Sequence, residues 1–153
     1  MKKYLEGKVA IVSGSGQGIG KGIAIGLARL GAKVITNNRK PNGLSAQKYR
    51  KEDMPEEDWI EFCRLKGDAE GTAQAIIAEG GEAIAFYGDC SNWKTAEEMI
   101  RTAVDAWGRI DIIVNSAAGM GTGDIATMDE ENWDLFMGSR AKGAVALMHF
   151  ALP

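Results

Sequence analysis

Short apolar runs alternate with segments of helical periodicity along this chain. The runs are rich in β-branched residues and show no polar alternation, which is typical of strands buried on both faces. Four strands are predicted from this pattern, at Lys8 to Ser13, Ala32 to Asn37, Ala83 to Tyr87 and Ile110 to Asn115. Strands that alternate with helices indicate a parallel α/β sheet.

The segments between these strands carry apolar residues at the spacing of one helix face. Helices are predicted from Ile19 to Leu30, from Asp68 to Glu79 and after Ser91, which we expect to be an N-cap. A last helix is predicted from about residues 129–131 toward Leu152, with its apolar positions at Trp133, Phe136, Met137, Val145, Met148 and Leu152. The pattern predicts one domain over residues 1–153, a Rossmann-type doubly wound parallel sheet truncated after the fourth strand and its following helix.

One segment, Pro41 to Gly67, departs from the regular alternation. It mixes acidic and basic residues with Tyr49, Trp59 and Phe62. Because these aromatic side chains need a surface to pack on, we interpret residues 41–67 as an insertion after the second strand rather than a linker. A short helix is predicted within it, around Glu56 to Leu65.

The composition excludes several classes of function. A net charge of -3 and a pI near 5.3 give no broad basic surface for nucleic acid. Two cysteines without a CxxC pair and a single histidine indicate neither a disulfide framework nor a metal site. No apolar run approaches the roughly 20 residues that cross a bilayer. We therefore expect a cytoplasmic protein without nucleic-acid, membrane or metal partners.

A glycine-rich turn joins the first strand to its helix, in the sequence Ser13-Gly14-Ser15-Gly16-Gln17-Gly18-Ile19-Gly20. At this place a dinucleotide diphosphate meets free backbone N–H groups and the positive end of the helix dipole. Gly14 is expected to permit the tight turn, Gly18 the approach of the phosphates, and Gly20 close packing of helix on sheet. The turn in its strand–helix–strand context predicts dinucleotide binding.

The same turn, SGSGQGIG, resembles the short-chain dehydrogenase/reductase family, and later segments resemble it in order. These are Gly88-Asp89-Cys90-Ser91, the strand and exit IDIIVNSAAG, Trp133-Asp134, Lys142-Gly143 and the closing Ala151-Leu152-Pro153. The resemblance implies hydride transfer between a nicotinamide dinucleotide and the carbonyl or alcohol carbon of a small molecule. It covers nearly the whole chain apart from the insertion.

The resemblance also implies a set of cofactor-binding residues. Asp89 would bind the adenine amino group, the backbone of Cys90 would contact the ring, and the exit of the fourth strand would lie along the cofactor. Asp89 could instead cap the next helix, and Asn115 could satisfy backbone groups in the adjacent turn. The full predicted set is Ser13, Gly14, Ser15, Gly16, Gln17, Gly18, Ile19, Gly20, Asn38, Arg39, Asp89, Cys90, Asn115 and Ala117.

The choice between NADP and NAD depends on the end of the second strand. Relatives that use NAD usually carry an acid there, whereas this chain has Asn38, which lacks the charge that repels a 2'-phosphate. Arg39 could add a charge-assisted contact to that phosphate, or it could point into solvent. On balance the sequence favours NADP over NAD.

No catalytic residue of the family can be assigned in this chain. The serine and the YxxxK pair of relatives follow the segment that ends here, and the expected asparagine of the NxKG motif is Arg140. We therefore expect the 153-residue chain to be an inactive portion of an NAD(P)-dependent oxidoreductase that forms homo-oligomers when complete. A catalytically silent nucleotide-binding subunit and a hydroxyacyl-CoA dehydrogenase module are the alternatives.

Three further side chains have structural interpretations. Asp111 is expected to support the fold, and Cys90 to be a small buried residue. His149 lies amid apolar neighbours on the last helix, where a core or subunit-contact role is favoured over a catalytic one.

Overall fold

The fold was analysed in a computed structural model that describes residues 2–41, 55–58, 60, 67–118 and 124–152. Four parallel strands form one sheet in the order β3-β2-β1-β4. The strands are β1 (Val9–Ser13), β2 (Lys33–Asn38), β3 (Ala83–Tyr87) and β4 (Ile112–Asn115). The prediction of a parallel α/β sheet is confirmed.

Helices cover both faces of this sheet. They are α1 (Gly18–Arg29), α2 (Ala69–Ala78), α3 (Trp93–Trp107), α4 (Glu130–Met137) and α5 (Gly143–Ala151), and a π-helical turn (Gly138–Lys142) joins the last two. One core cluster contains Met99 of α3 and Leu147 of α5, while Ala24 of α1 and Ile76 of α2 belong to the other. The doubly wound arrangement buries the central strand β1 completely.

Several expectations are corrected at the level of single residues. The N-cap of α3 is Asn92, whose side chain accepts from the backbone N–H of Thr95. Ser91 does not cap this helix because its own N–H and hydroxyl both donate to Asp89. Strand β4 begins at Ile112 rather than Ile110.

The helical segment after residue 129 is also not a single regular helix. The π-helical turn changes the register of the faces, so that Ala146 and Leu147 are buried in α5 whereas Val145, Met148 and Leu152 of the predicted apolar face are exposed. His149 is exposed and stacks against Trp93, which excludes the core position that the sequence suggested. Its predicted role in a subunit contact stays a prediction.

The start of β4 is fastened to the start of β1 by one carboxylate. Asp111 accepts from the Lys8 ammonium at 2.9 Å, from the backbone N–H of Val9 at 2.9 Å and from the Arg109 guanidinium. The Arg109 hydrogen bond is the main reason that the pKa of Asp111 lies well below its usual range. The structural role expected for Asp111 is thus confirmed, at the sheet edge opposite the glycine turn.

Most of the predicted insertion, residues 41–67, lies outside the described residues; residues 56–58 and 60 are helical, within the short helix predicted there. Among the helices of the described ranges, none has the length and apolar character needed to traverse a membrane.

Candidate dinucleotide site

The strand order creates a crevice at the carboxyl ends of β1 and β4. The chain continues from β1 to β2 on one side of the sheet, but β4 lies on the other side of β1, so the connections leaving these two strands diverge. Ser13 pairs with Asn115 at this point, and the Ser13 hydroxyl donates to the Asn115 side-chain oxygen at 2.8 Å. Open α/β sheets bind ligands at such a topological switch point.

The glycine turn fits tightly against the exit of β4. Gly14 has a φ of 63°, and a Cβ atom there would lie 2.7 Å from the Cα of Ala117. The Ser13 hydroxyl accepts hydrogen bonds from the backbone N–H groups of Ser116 and Ala117, both at 3.1 Å. A side chain at position 14 would therefore push the two strand exits apart.

The turn opens again at Gly18, where α1 begins. Gly18 has a φ of 56°, and nothing lies within 4 Å of the place where its Cβ would be. The N-cap residue of α1, Gln17, does not cap the helix with its side chain, and the first turn contains no acidic residue. By contrast, α2, α3 and α4 are capped by Asp68, Asn92 and Asp129. The first N–H groups of α1 consequently have no side-chain cap, and the space beside Gly18 is open.

Asn37 holds the turn, β2 and β3 together, although it was not among the site residues predicted from the sequence. Its side-chain oxygen accepts from the backbone N–H of Gly14 at 3.2 Å and from the Cys90 thiol at 3.3 Å. Its amide nitrogen donates to the carbonyl oxygens of Asn38, Phe86 and Gly88 at 3.1 to 3.3 Å. A buried amide inside an otherwise apolar strand was the signal available in the sequence.

Asn38 lies directly against the glycine turn. Its side-chain oxygen is buried without a hydrogen-bond partner and lies so close to Gly16 that a Cβ at position 16 would overlap it. An unsatisfied buried acceptor costs about 1–3 kcal/mol and is rare in folded proteins. This orphaned oxygen belongs to the residue that was predicted to meet a hydroxyl group of the cofactor.

Asp89, one of the two predicted contacts for adenine, is already engaged within the protein. Asp89 accepts from the Ser91 N–H and hydroxyl with one oxygen, while its other oxygen lies 3.6 Å from the Arg39 guanidinium. For Arg39 the sequence suggested either a contact with the 2'-phosphate or a side chain that points into solvent, and this ion pair was not predicted. Cys90 is buried as predicted, and burial is the main cause that raises the pKa of its thiol to about 12.

Asn115 links the crevice to the π-helical turn. Its amide nitrogen donates to the carbonyl oxygens of Ser139 at 3.4 Å and Arg140 at 3.0 Å. The turn offers these carbonyls because a π-helical turn breaks the regular i to i−4 bonding of the helix. The guanidinium of Arg140 stacks on the ring of Phe136 at 3.8 Å.

The structure thus brings the predicted site residues together along one edge of the sheet. The side chains of Ser13 and Ser15 are fully buried and used within the fold; Ser15, for example, donates to the Val12 carbonyl at 2.7 Å. Their predicted cofactor contacts could therefore come only from the backbone. Ile19 is 80% exposed beside the open face of the turn.

With this geometry, the chain belongs to the short-chain dehydrogenase/reductase family. The family model that matches residues 56–153 is described as Enoyl-(Acyl carrier protein) reductase. A short-chain dehydrogenase of Mycobacterium avium has a similar crystal structure, with a TM-score of 0.77 and 29% identity over 97% of this chain and 46% of that one. The likeness agrees with the four-stranded sheet and the glycine turn described above.

Two curated relatives illustrate the range of the family. An uncharacterised oxidoreductase of Thermotoga maritima is 33% identical over 96% of this chain and 48% of its own length. A hydroxyacyl-CoA dehydrogenase of Mycobacterium tuberculosis is 33% identical over 97% of this chain and 38% of its own length. The chain thus spans about half or less of the length of these relatives.

Proposed function

We propose that this chain is the cofactor-binding portion of an NAD(P)-dependent oxidoreductase that transfers hydride to or from the carbonyl or alcohol carbon of a small molecule. The observation that carries the proposal is the start of α1, where N–H groups without a side-chain cap lie beside the open space above Gly18 at the switch point. Membership of the family supports the same conclusion.

The residues of this chain would bind and orient the cofactor. The N–H groups at the start of α1 would bind its diphosphate, which the positive end of the helix dipole also attracts. Asn38 would accept from a ribose hydroxyl, Asp89 would receive the adenine amino group, and the exit of β4 from Asn115 to Ala117 would lie along the cofactor. The bound nicotinamide would supply or accept the hydride.

We propose that the proton chemistry is carried out by residues that correspond to the part of the relatives that this chain does not span. The one YxxxK spacing in the sequence, Tyr4 to Lys8, precedes the first strand, and Lys8 pairs with Asp111 at the end of the sheet opposite the glycine turn. It therefore does not correspond to the family's catalytic pair, and we expect residues 1–153 alone to bind cofactor without turnover. Arg140 stands where the family has the asparagine of its NxKG motif, which holds the water of a proton relay, and a guanidinium cannot accept a proton at neutral pH. We propose that any relay in this protein therefore uses the Arg140 carbonyl, which Asn115 already contacts, rather than a side chain at that position.

A titration with NADH and with NADPH, followed by nucleotide fluorescence, tests the proposal on the product of the complete gene. In the variant Gln17→Asp, the new carboxylate would cap α1, as Asp68 and Asp129 cap their helices. We expect the fold to be retained and both dissociation constants to rise at least tenfold, about 1.4 kcal/mol, because the new charge repels the diphosphate.

The neutral variant Gln17→Asn is the matched control, since it offers the same cap without the charge. It should weaken binding less than Gln17→Asp does. If the wild-type protein binds neither nucleotide at about millimolar concentration, which corresponds to roughly −4 kcal/mol, the proposal is wrong.

A hydroxyacyl-CoA dehydrogenase is the second candidate function. The relative of that activity in Mycobacterium tuberculosis matches 97% of this chain, and the segment 41–67 could cover a bulky substrate that carries a nucleotide. Acyl-CoA turnover that persists after deletion of residues 42–66 would remove the reason for assigning the insertion to the substrate.

A catalytically silent subunit is the remaining alternative, and turnover of any carbonyl compound by the product of the complete gene would exclude it.

We also propose a cytoplasmic location and a homo-oligomeric complete protein. Two cysteines without a CxxC pair support a reducing compartment. The exposed apolar residues Val145 and Met148 of α5 support a contact between subunits. Light scattering of the complete protein tests the second statement, and a monodisperse monomer would contradict it.

A further inference from the structure

The start of α2 lies beside the end of β2. Asp68 lies against the glycine turn, where a Cβ atom at Gly16 would lie 2.7 Å from the Cα of Asp68 while overlapping the side-chain oxygen of Asn38. Asn38 and Asp68 therefore converge on Gly16 of the turn. This point lies at the end of β2, where the family places an acid for the adenosine ribose.

Hydrogen bonds on two sides fix the carboxylate of Asp68. One oxygen accepts from the backbone N–H of Gly71 at 2.8 Å, and the other accepts from the hydroxyl of Tyr87 at 3.1 Å. Tyr87 is the residue of β3 that pairs directly with Asn38 of β2. The carboxylate is thus tied to the strand position next to Asn38.

The backbone around Asp68 is fixed as well. The hydroxyl of Thr72 donates to the Ser15 carbonyl at 2.9 Å, and that of Thr36 donates to the Ala69 carbonyl at 2.8 Å. Both hydroxyl-bearing residues are fully buried. The first turn of α2 is therefore a rigid part of the site.

We infer that Asp68 supplies the acidic charge that Asn38 lacks and makes the protein select NAD over NADP. The inference rests on the proposed function. A 2'-phosphate on the adenosine ribose would place up to two negative charges near this carboxylate, whereas the hydroxyl of NAD could donate to Asn38. The basic residue that would favour the phosphate, Arg39, is paired with Asp89. These contacts reverse the preference for NADP that Asn38 and Arg39 suggested in the sequence.

Neutral replacement of Asp68 tests the inference through the ratio of the dissociation constants for NADPH and NADH, measured on the product of the complete gene. Asparagine caps helices as well as aspartate does, so Asp68→Asn keeps the bond to Gly71 and removes the charge. We expect a ratio above about ten in the wild type and a fall of at least fivefold in this variant, mainly through tighter binding of NADPH. Asp68→Ser is a second neutral cap that should give the same direction of change.

Asp129→Asn is the matched control. Asp129 caps α4 through the N–H of Asn132 at 2.8 Å, so this variant makes the same substitution in the same role on another helix. Its ratio should stay within twofold of the wild type. Because exposed charges are screened by salt, the wild-type ratio should also shrink as the ionic strength rises, and the ratio of Asp68→Asn should change less.

The two proposals fail in different ways. Binding of both nucleotides with a ratio that neither neutral variant alters by more than twofold would overturn the role of Asp68 alone. A wild-type protein that binds NADPH more tightly than NADH would do the same. If the wild type binds neither nucleotide, the proposed function is wrong and this inference is wrong with it.

Discussion

Gly20 and Gly22 offer a controlled test of how the first helix meets the glycine turn, because both glycines lie in α1 two residues apart. A Cβ atom at Gly20 would overlap the carbonyl oxygen of Gly14 and lie 3.0 Å from the Cα of Ser15. At Gly22 nothing lies within 4 Å of the corresponding position. The same change to alanine should therefore have opposite effects at the two sites.

The magnitudes follow from two separate contributions. Alanine in place of glycine within a helix stabilises the folded protein by about 0.5–1 kcal/mol, and this is the whole effect expected for Gly22→Ala. Gly20→Ala gains the same amount but forces α1 away from the backbone of the turn, which costs about 1–3 kcal/mol when packing is tight. We expect a difference of roughly 1–3 kcal/mol between the free energies of unfolding of the two variants, with Gly20→Ala the less stable.

Denaturant unfolding of the product of the complete gene measures this difference, provided that the slope with denaturant is unchanged. Gly26→Ala, another open position of α1, should behave like Gly22→Ala. The displaced turn in Gly20→Ala should also weaken nucleotide binding, while the two control variants should leave it within twofold. Equal stability of Gly20→Ala and Gly22→Ala would refute the close packing of α1 on the turn.

Two further predictions concern Asp111 and Cys90. The pKa of Asp111 is lowered in the folded protein, so its contribution to stability is present above the ordinary aspartate pKa of about 4 and is lost as the pH falls through the lower folded value. Asp111→Asn should consequently reduce stability at pH 7 and flatten its decline below about pH 5, and a variant with the unaltered acid dependence of the wild type would contradict this. The thiol of Cys90 has a pKa of about 12, so peptide mapping after alkylation at about pH 8 should show it reacting on the order of a thousandfold more slowly than a free cysteine peptide. Labelling of Cys90 at the rate of the peptide would show that it is neither buried nor protonated.

The sheet and the glycine turn were predictable because both depend on local sequence. A central parallel strand must be apolar on both faces, so β1 is recognisable without knowledge of its neighbours. The turn is recognisable because it needs closely spaced glycines, two of which, Gly14 and Gly18, have a positive φ. These requirements act within a few residues of the chain or recur throughout the family.

The place of Asp68 beside the glycine turn was not predictable in the same way. Its position depends on how the chain returns to the sheet after the insertion, and no local pattern specifies that path. The π-helical turn was missed for a related reason, since its carbonyls are satisfied by Asn115 from another element. Asn37 could have been recognised as a polar residue in a buried strand, but four of its five partners lie 23 to 53 residues away in the sequence.

The hydrogen bonds of Asn37 also determine whether an aspartate can take its place. Aspartate has nearly the shape of asparagine, yet at position 37 it would exchange an amide that donates to three carbonyl oxygens for an anion that repels them. Spontaneous deamidation of Asn37 would introduce the same defect as the protein ages. The two adjacent asparagines at the end of β2 thus differ, because Asn38 has a side-chain oxygen without a partner whereas the oxygen and the amide of Asn37 are both used in hydrogen bonds.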